Sequence, residues 1–368
     1  MSKVLCTTGV ARERDFAINS DAFLRLVLWT GIGVFCLAIL LMIVIAWLRA
    51  ALVLRQRREQ CFIEKWRPLL TLGLEAAPAS LPVIARADQY TFFSLWNYFH
   101  ESLRGESKDR LNDLAASCGM DRVARTLLQQ RSLRARLIAV TTLGNLRDRG
   151  VWEEFKRLAA DPHPLLSLIA ARALLLIDAS AALPVLIPLL ASRAEWDAAR
   201  VGSMLSEAGV DVVSSPLAAA AERYSAAGLH RQTTRLLRYL EIAQSTQALP
   251  AVGRILEATT DDDVIAACIK CLSDPRDLPQ LRRFVGHPAW FVRLQAARAL
   301  GRIGTPADCA PLVSLLGDPV WWVRYRAAQA LAALPFIDLP RLREIHAGLS
   351  DRFAGDILFQ AMAEKYPG

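Results

Sequence analysis

The chain has 368 residues, 53% of them apolar and 22% charged, with a net charge of +8. That length and composition allow a sizeable core and exclude a disordered or low-complexity chain. The seven cysteines are odd in number and irregularly spaced, and Cys36 lies within an apolar run, which excludes the disulfide framework of a small secreted domain and fits a reducing compartment. Half of the positive excess falls between residues 49 and 67, whereas residues 68–368 carry only +3. This clustering points to an anionic membrane surface and away from nucleic acid.

Residues 1–25 form an N-terminal tail. From Leu26 to Leu48 there are 23 residues without a charge, bracketed by Arg25 and Arg49. As a helix this run is about 35 Å long, enough to cross a hydrocarbon core of about 30 Å. Only a helix satisfies every backbone group of a single strand of chain in lipid. Trp29 and Trp47 stand near its ends, where indoles favour the interface. The run is longer than a signal-peptide core and lacks a small-residue cleavage site, so it reads as a retained transmembrane helix. Lys and Arg are more numerous after the span than before it, which predicts a cytoplasmic C-terminal part and a bacterial inner-membrane protein with one crossing.

Residues 49–67 read as a basic juxtamembrane continuation of the helix, ending at Pro68, with Arg49, Arg55, Arg57 and Arg58 as candidate membrane-surface residues. A loop rich in Ala, Pro and Ser follows, from Glu75 to Pro82. Asp88–Leu103, with Phe92, Phe93, Trp96, Tyr98 and Phe99, reads as an amphipathic helix, and Ser107–Cys118 and Arg122–Gln130 as two more. Together 68–130 is expected to cap a helical stack.

Residues 131–350 carry a repeat. His287-Pro-Ala-Trp-Phe-Val-Arg293 leads to Ala296-Ala-Arg-Ala-Leu300, and Asp318-Pro-Val-Trp-Trp-Val-Arg324 leads to Ala327-Ala-Gln-Ala-Leu331, one period of 31 residues later. Ala170–Leu174 repeats the string of 296–300, and Leu143-Gly144 precedes Leu300-Gly301 by 157 residues, placing Arg136 on the Arg293 position. About seven units fit between 120 and 350. Each reads as a short apolar helix, exemplified by Ala310–Leu316 and Leu183–Leu190, then an Asp-Pro or His-Pro turn, then a second helix with paired alanines; Gly144, Gly301 and Gly304 end such helices. Such a unit cannot bury its apolar face alone, so the units stack. Residues 351–368 form a C-terminal helix or cap. The fold class is therefore all-α, an N-terminal transmembrane helix followed by an α-solenoid.

The Asp-Pro-x-Trp-x-Val-Arg-x-x-Ala-Ala-x-Ala-Leu pattern resembles short HEAT repeats of the kind first described in phycobilisome lyases. With the anchor and the Leu95-Trp96-Asn97-Tyr98 region, the whole chain resembles bacterial membrane-anchored HEAT-repeat proteins. That resemblance implies binding of protein partners, in a setting of envelope polysaccharide or glycosyltransferase assembly. It also implies, for Arg136, Arg293 and Arg324, hydrogen bonds to turns of neighbouring units.

Chemistry is hard to find in the sequence. Cys268-x-x-Cys271 lacks the second pair or histidines that a zinc site needs, and it falls on a second helix where small buried residues are expected. His163 and His287 occupy equivalent turns. Asp261-Asp-Asp263 starts a helix, where it caps, and it lacks calcium-loop spacing. No catalytic residue, metal ligand, cofactor or small-molecule substrate is expected, and the chain reads as a scaffold and not an enzyme. Trp290, Trp321 and Trp322 at second-helix starts pack between repeats or, with Arg298, Arg302 and Arg326, form a partner-binding hot spot. An enzyme on a HEAT fold, resembling a bilin lyase or a DNA glycosylase, is the alternative; the low charge of 68–368 counts against DNA.

Overall fold

The computed structural model describes the backbone of residues 7–74, 81–242 and 248–366, and side chains from residue 28 onward within them. Most of the expected loop from Glu75 to Pro82 lies outside the described residues. The chain divides into two units, residues 1–118 and 119–368.

The first unit is dominated by one helix, α1, from Thr7 to Leu72. At 1.5 Å per residue it is about 100 Å long. It starts inside the expected tail and runs through Pro68, where the sequence predicted a stop. A proline costs only one backbone hydrogen bond when a single turn remains beyond it, and the Thr71 hydroxyl donates to the Arg67 carbonyl in that turn (3.0 Å). Large apolar side chains along the helix face outward: Leu28, Phe35, Met42 and Trp47 are each more than 60% exposed. The apolar exposure continues past Arg49 through Leu52, Val53 and Leu54. One helix is thus long and apolar enough to cross a membrane, its best 18-residue window having a mean hydropathy of 2.8 with none of it buried.

The lower end of α1 has partners. Helix α2 (Gln89–Ser102) packs on it, and α3 (Glu106–Ser117) packs on α2. Phe92, Phe93 and Trp96 are fully buried. Trp66 of α1 stacks on Phe62 and meets Phe92 edge-on at 5.2 Å. The Trp96 indole N–H donates to the Leu111 carbonyl (3.0 Å), tying α2 to α3. A Cβ on Gly73 would lie 2.4 Å from Leu114, so α3 crosses the end of α1 where there is no side chain. The aromatic face of α2 therefore has its partner within this unit.

The second unit is an α-solenoid. Eight helical hairpins follow one another: α4/α5 (Met120–Leu128, Leu133–Asn145), α6/α7 (Trp152–Ala159, Pro164–Ile177), α8/α9 (Ala179–Ser192, Ala198–Ala208), α10/α11 (Val210–Ala226, His230–Ile242), α12/α13 (Leu249–Ala258, Asp262–Cys271), α14/α15 (Leu278–Arg282, Trp290–Ile303), α16/α17 (Cys309–Leu315, Trp321–Ala333) and α18/α19 (Leu339–Ala347, Arg352–Lys365). The helix near 122–130, read as cap from the sequence, is the first helix of hairpin one, and the C-terminal helix is the second of hairpin eight. No strand occurs among the described residues.

Capping sets the hairpins. Asp178, Asp197, Asp261, Asp338 and Asp351 each accept from a backbone N–H in the first turn of the helix they precede. His163 does the same through Nδ1. Second helices stack on one another through alanine and leucine: Ala170, Ala171, Ala296, Ala297, Ala327 and Ala328 are fully buried. Gly144 and Gly301 are not helix ends. They lie in the last turn of α5 and α15, where an added Cβ would sit 2.6 Å from Ala173 Cβ and 2.7 Å from Ala330 Cβ. Their role is close approach of neighbouring helices. Gly304 alone of the three follows its helix.

Candidate functional site

The turns and second-helix starts of the solenoid position two sets of side chains. Arginines of one set hold the stack together. Arg293 of α15 donates to both carboxylate oxygens of Asp318 in the next unit's turn (2.6 and 2.8 Å) and to the His287 and Pro288 carbonyls of its own. Asp318 in turn accepts from the Val320 N–H (2.8 Å). Arg136 and Asp161 repeat this pair five periods earlier at 3.4 Å. Arg324 donates to the Asp318 carbonyl, but the following unit offers Leu349 where the acid would stand, and its guanidinium lies over Phe353 instead. A parallel set on the first helices was not anticipated: Arg125 grips Asp148 (2.7 Å) and Arg282 grips the fully buried Asp308 (2.6 Å). Arg125 and Arg282 share a repeat register, the signal that could have revealed them.

The other set faces solvent. Trp290, Trp321 and Trp322 are 43, 40 and 56% exposed. Of the two readings, packing between repeats or a partner-binding hot spot, neither is decided by this half-exposure, and the ring contacts of these residues are to neighbours on their own helix. Trp321 stacks on Tyr325 one turn further along α17 (5.2 Å, 10° between planes) and meets Trp322 edge-on. Trp290 meets Phe291 edge-on in the same way. The 31-residue step from Trp322 lands on Phe353, which is 65% exposed. Three consecutive second helices thus begin with exposed aromatics, and only the first two were recognised from the sequence, because the last hairpin lacks the Pro-x-Trp motif.

The arginines proposed beside them divide. Arg298 is exposed, with no ion pair among the described residues. Arg326 is half-buried and donates to the Gln329 side chain (2.7 Å). Arg302 is committed elsewhere: it donates to the Lys270 and Leu272 carbonyls at the end of α13 (3.3 and 3.1 Å), and burial together with Arg298 lowers its pKa. It caps a neighbouring helix, so it is withdrawn as a partner-binding residue.

Two of the four juxtamembrane arginines are also engaged. Arg58 makes a bidentate pair with Asp88 (2.7 and 3.0 Å), bracing α1 against the start of α2, and Arg55 pairs with Glu59 one turn on. Arg49 and Arg57 are exposed and in no ion pair among the described residues. Cys268 and Cys271 are buried thiols, Cys271 donating to the Leu237 carbonyl. Burial pushes the Cys268 thiol up to about 12 and that of Cys271 well above its usual value.

Residues 249–332 match the family model of HEAT repeats. The matched residues span hairpins five to seven, which carry Trp290, Trp321 and Trp322. A solved structure of an engineered protein is similar over 81% of this chain and 89% of its own, at 16% identity and a TM-score of 0.36, too loose a superposition to carry an argument. No curated protein matches the chain.

Proposed function

We propose that this chain is a membrane-anchored protein-binding scaffold that performs no chemistry of its own. The observation that carries the reading is the row of exposed aromatics, Trp290, Trp321, Trp322 and Phe353, at the starts of the second helices of three adjoining units. Large aromatics exposed side by side at a surface are the composition of binding hot spots. The exposed apolar length of α1 supports a bilayer crossing, with Arg49 and Arg57 available to anionic headgroups and the 119–368 unit tethered by chain continuity. The excess of Lys and Arg after the span favours a cytoplasmic solenoid at a bacterial inner membrane. The family resemblance favours a partner among cytoplasmic proteins or membrane enzymes of envelope polysaccharide assembly.

Affinity capture of the full chain from detergent-solubilised membranes tests this. A specific protein should be recovered with the native chain and lost with Trp290→Ala/Trp321→Ala/Trp322→Ala, whose unfolding temperature should change little because the rings are half in water. Recovery of the same protein by the triple variant would remove the aromatic row from the function. Fractionation of the full chain as a bilayer-free monomer would remove the anchor.

A further inference from the structure

Next to the aromatic row lies a second feature, on the outward face of the second helices. Aligning the buried pairs Leu236-Leu237, Cys268-Ile269 and Ala296-Ala297 puts Arg238, Lys270 and Arg298 at one register position in three consecutive units. Arg238 and Arg298 are exposed and Lys270 is half-buried. None of the three belongs to an ion pair among the described residues. At the same register two units earlier, Arg172 is already gripped by the Glu207 carboxylate through both oxygens (2.8 and 3.0 Å). The molecule thus contains an internal example of the ligand this position takes.

The face is recessed at Arg238 and Lys270. One concavity of about 700 Å³ is lined by His230, Arg231, Thr234, Arg235 and Arg238 with Asp261 and Asp263. A second, of about 240 Å³, shares Thr234, Arg238 and Asp263 and extends over Ala267, Lys270 and Phe291 to Gln295, with Glu241 on its wall. The acids are fewer than the bases, and Asp261 is spent on the Val264 N–H. Two buried polar atoms on the second concavity, Thr234 Oγ1 and Gln295 Oε1, have no hydrogen-bond partner among the described residues. Buried polar atoms without partners cost stability and are rare, and a bound ligand is one way to satisfy them.

From this we infer that the face between Arg238 and Arg298 holds an extended acidic segment of the partner polypeptide, an inference that rests on the scaffold reading. Adjacent packed helices are about 8–10 Å apart. An extended polyproline-II segment rises about 9.3 Å per turn of three residues, so a carboxylate at every third position meets Arg238, Lys270 and Arg298 in turn. The amide groups of such a segment supply the donor and acceptor that Gln295 and Thr234 lack. Its apolar residues run onto Phe291 and the neighbouring Trp290. Nucleic acid fits less well, since residues 68–368 as a whole carry only +3.

The test uses the full chain in detergent and a fluorescent twelve-residue peptide with glutamate at every third position, beside its lysine counterpart and a single-stranded DNA of equal charge. The glutamate peptide should bind, weaken at least tenfold as salt is raised, and lose at least tenfold in affinity for Lys270→Glu/Arg298→Glu. Arg343→Glu, an exposed change on the first helix of hairpin eight, should leave binding as it was. Should the double reversal disturb folding, Lys270→Gln/Arg298→Gln carries the same expectation with a smaller loss. Equal binding of the lysine peptide or the DNA, or native affinity in the ladder variants, overturns the inference. A membrane partner that still binds the ladder variants but needs the tryptophans overturns the acidic segment and leaves the scaffold standing.

Discussion

Arg293 and Asp318 lie 25 residues apart and in different repeats, yet they form a bidentate ion pair whose side chains are only 13 and 4% exposed. The pair does two jobs at once. The carboxylate shapes its own turn by accepting from Val320, and it receives the arginine of the preceding unit. Turn geometry and repeat-to-repeat stacking are thereby coupled through one residue. This explains why the Asp-Pro turn and the Val-Arg motif travel together in the sequence.

The pair makes stability depend on acid. Burial pushes the Asp318 pKa up, but the Arg293 hydrogen bonds, the Val320 N–H and the nearby guanidinium charges outweigh it and hold it below the ordinary carboxylate value; Asp308 is lowered in the same way beside Arg282. A pKa depressed in the folded state means stabilisation present above the unfolded value, about 4, and lost as pH falls through the folded one. Urea unfolding of the detergent-solubilised chain should show a solenoid transition that is flat from pH 7 to about 5 and weakens below about 4. Asp318→Ala should cost about 3 kcal/mol at pH 7, since it leaves a half-buried guanidinium without its acid. A pH profile for Asp318→Ala as steep as that of the native chain would contradict the assignment.

Glycine-to-alanine changes should have opposite signs at two sites. Gly253 lies inside α12 with nothing within 4 Å of an added Cβ, so Gly253→Ala should stabilise by about 0.5–1 kcal/mol through helix propensity. Gly301 has the same propensity to gain, but its Cβ would meet the backbone and side chain of Ala330 at 2.7 Å. Rigid backbone cannot yield as a flexible side chain can, so Gly301→Ala should destabilise by about 1–3 kcal/mol. Thermal unfolding of the two single variants reads the signs directly.

The cysteines should differ sharply in reactivity. With the Cys268 thiol pushed up to about 12 and that of Cys271 well above its usual value, almost no thiolate exists at pH 8, and both are buried. Cys61 is exposed. Alkylation with iodoacetamide followed by peptide mass mapping should label Cys61 within minutes and leave 268 and 271 unmodified until urea is added. Early labelling of the pair would mean that hairpin five opens readily.

Much of this molecule is legible in its amino-acid order, and the limit has a physical cause. Helical periodicity, capping aspartates and a 31-residue recurrence are local signals, read within a window no longer than one hairpin, so the apolar helix, the α-solenoid and the turn positions follow from them. Position in a repeat does not say which way a side chain faces or which neighbour it meets. Trp290 and Trp321 stay half in water while Trp66 and Trp96 are buried, and all four look alike in one dimension. Gly144 and Gly301 looked like helix ends until Ala173 and Ala330 were found against them. Arg302 and Arg58 looked free until the end of α13 and Asp88 were found within their reach. These outcomes depend on residues tens of positions away, brought into contact by the stacking of units and the packing of α2 on α1, and only the tertiary structure decides them.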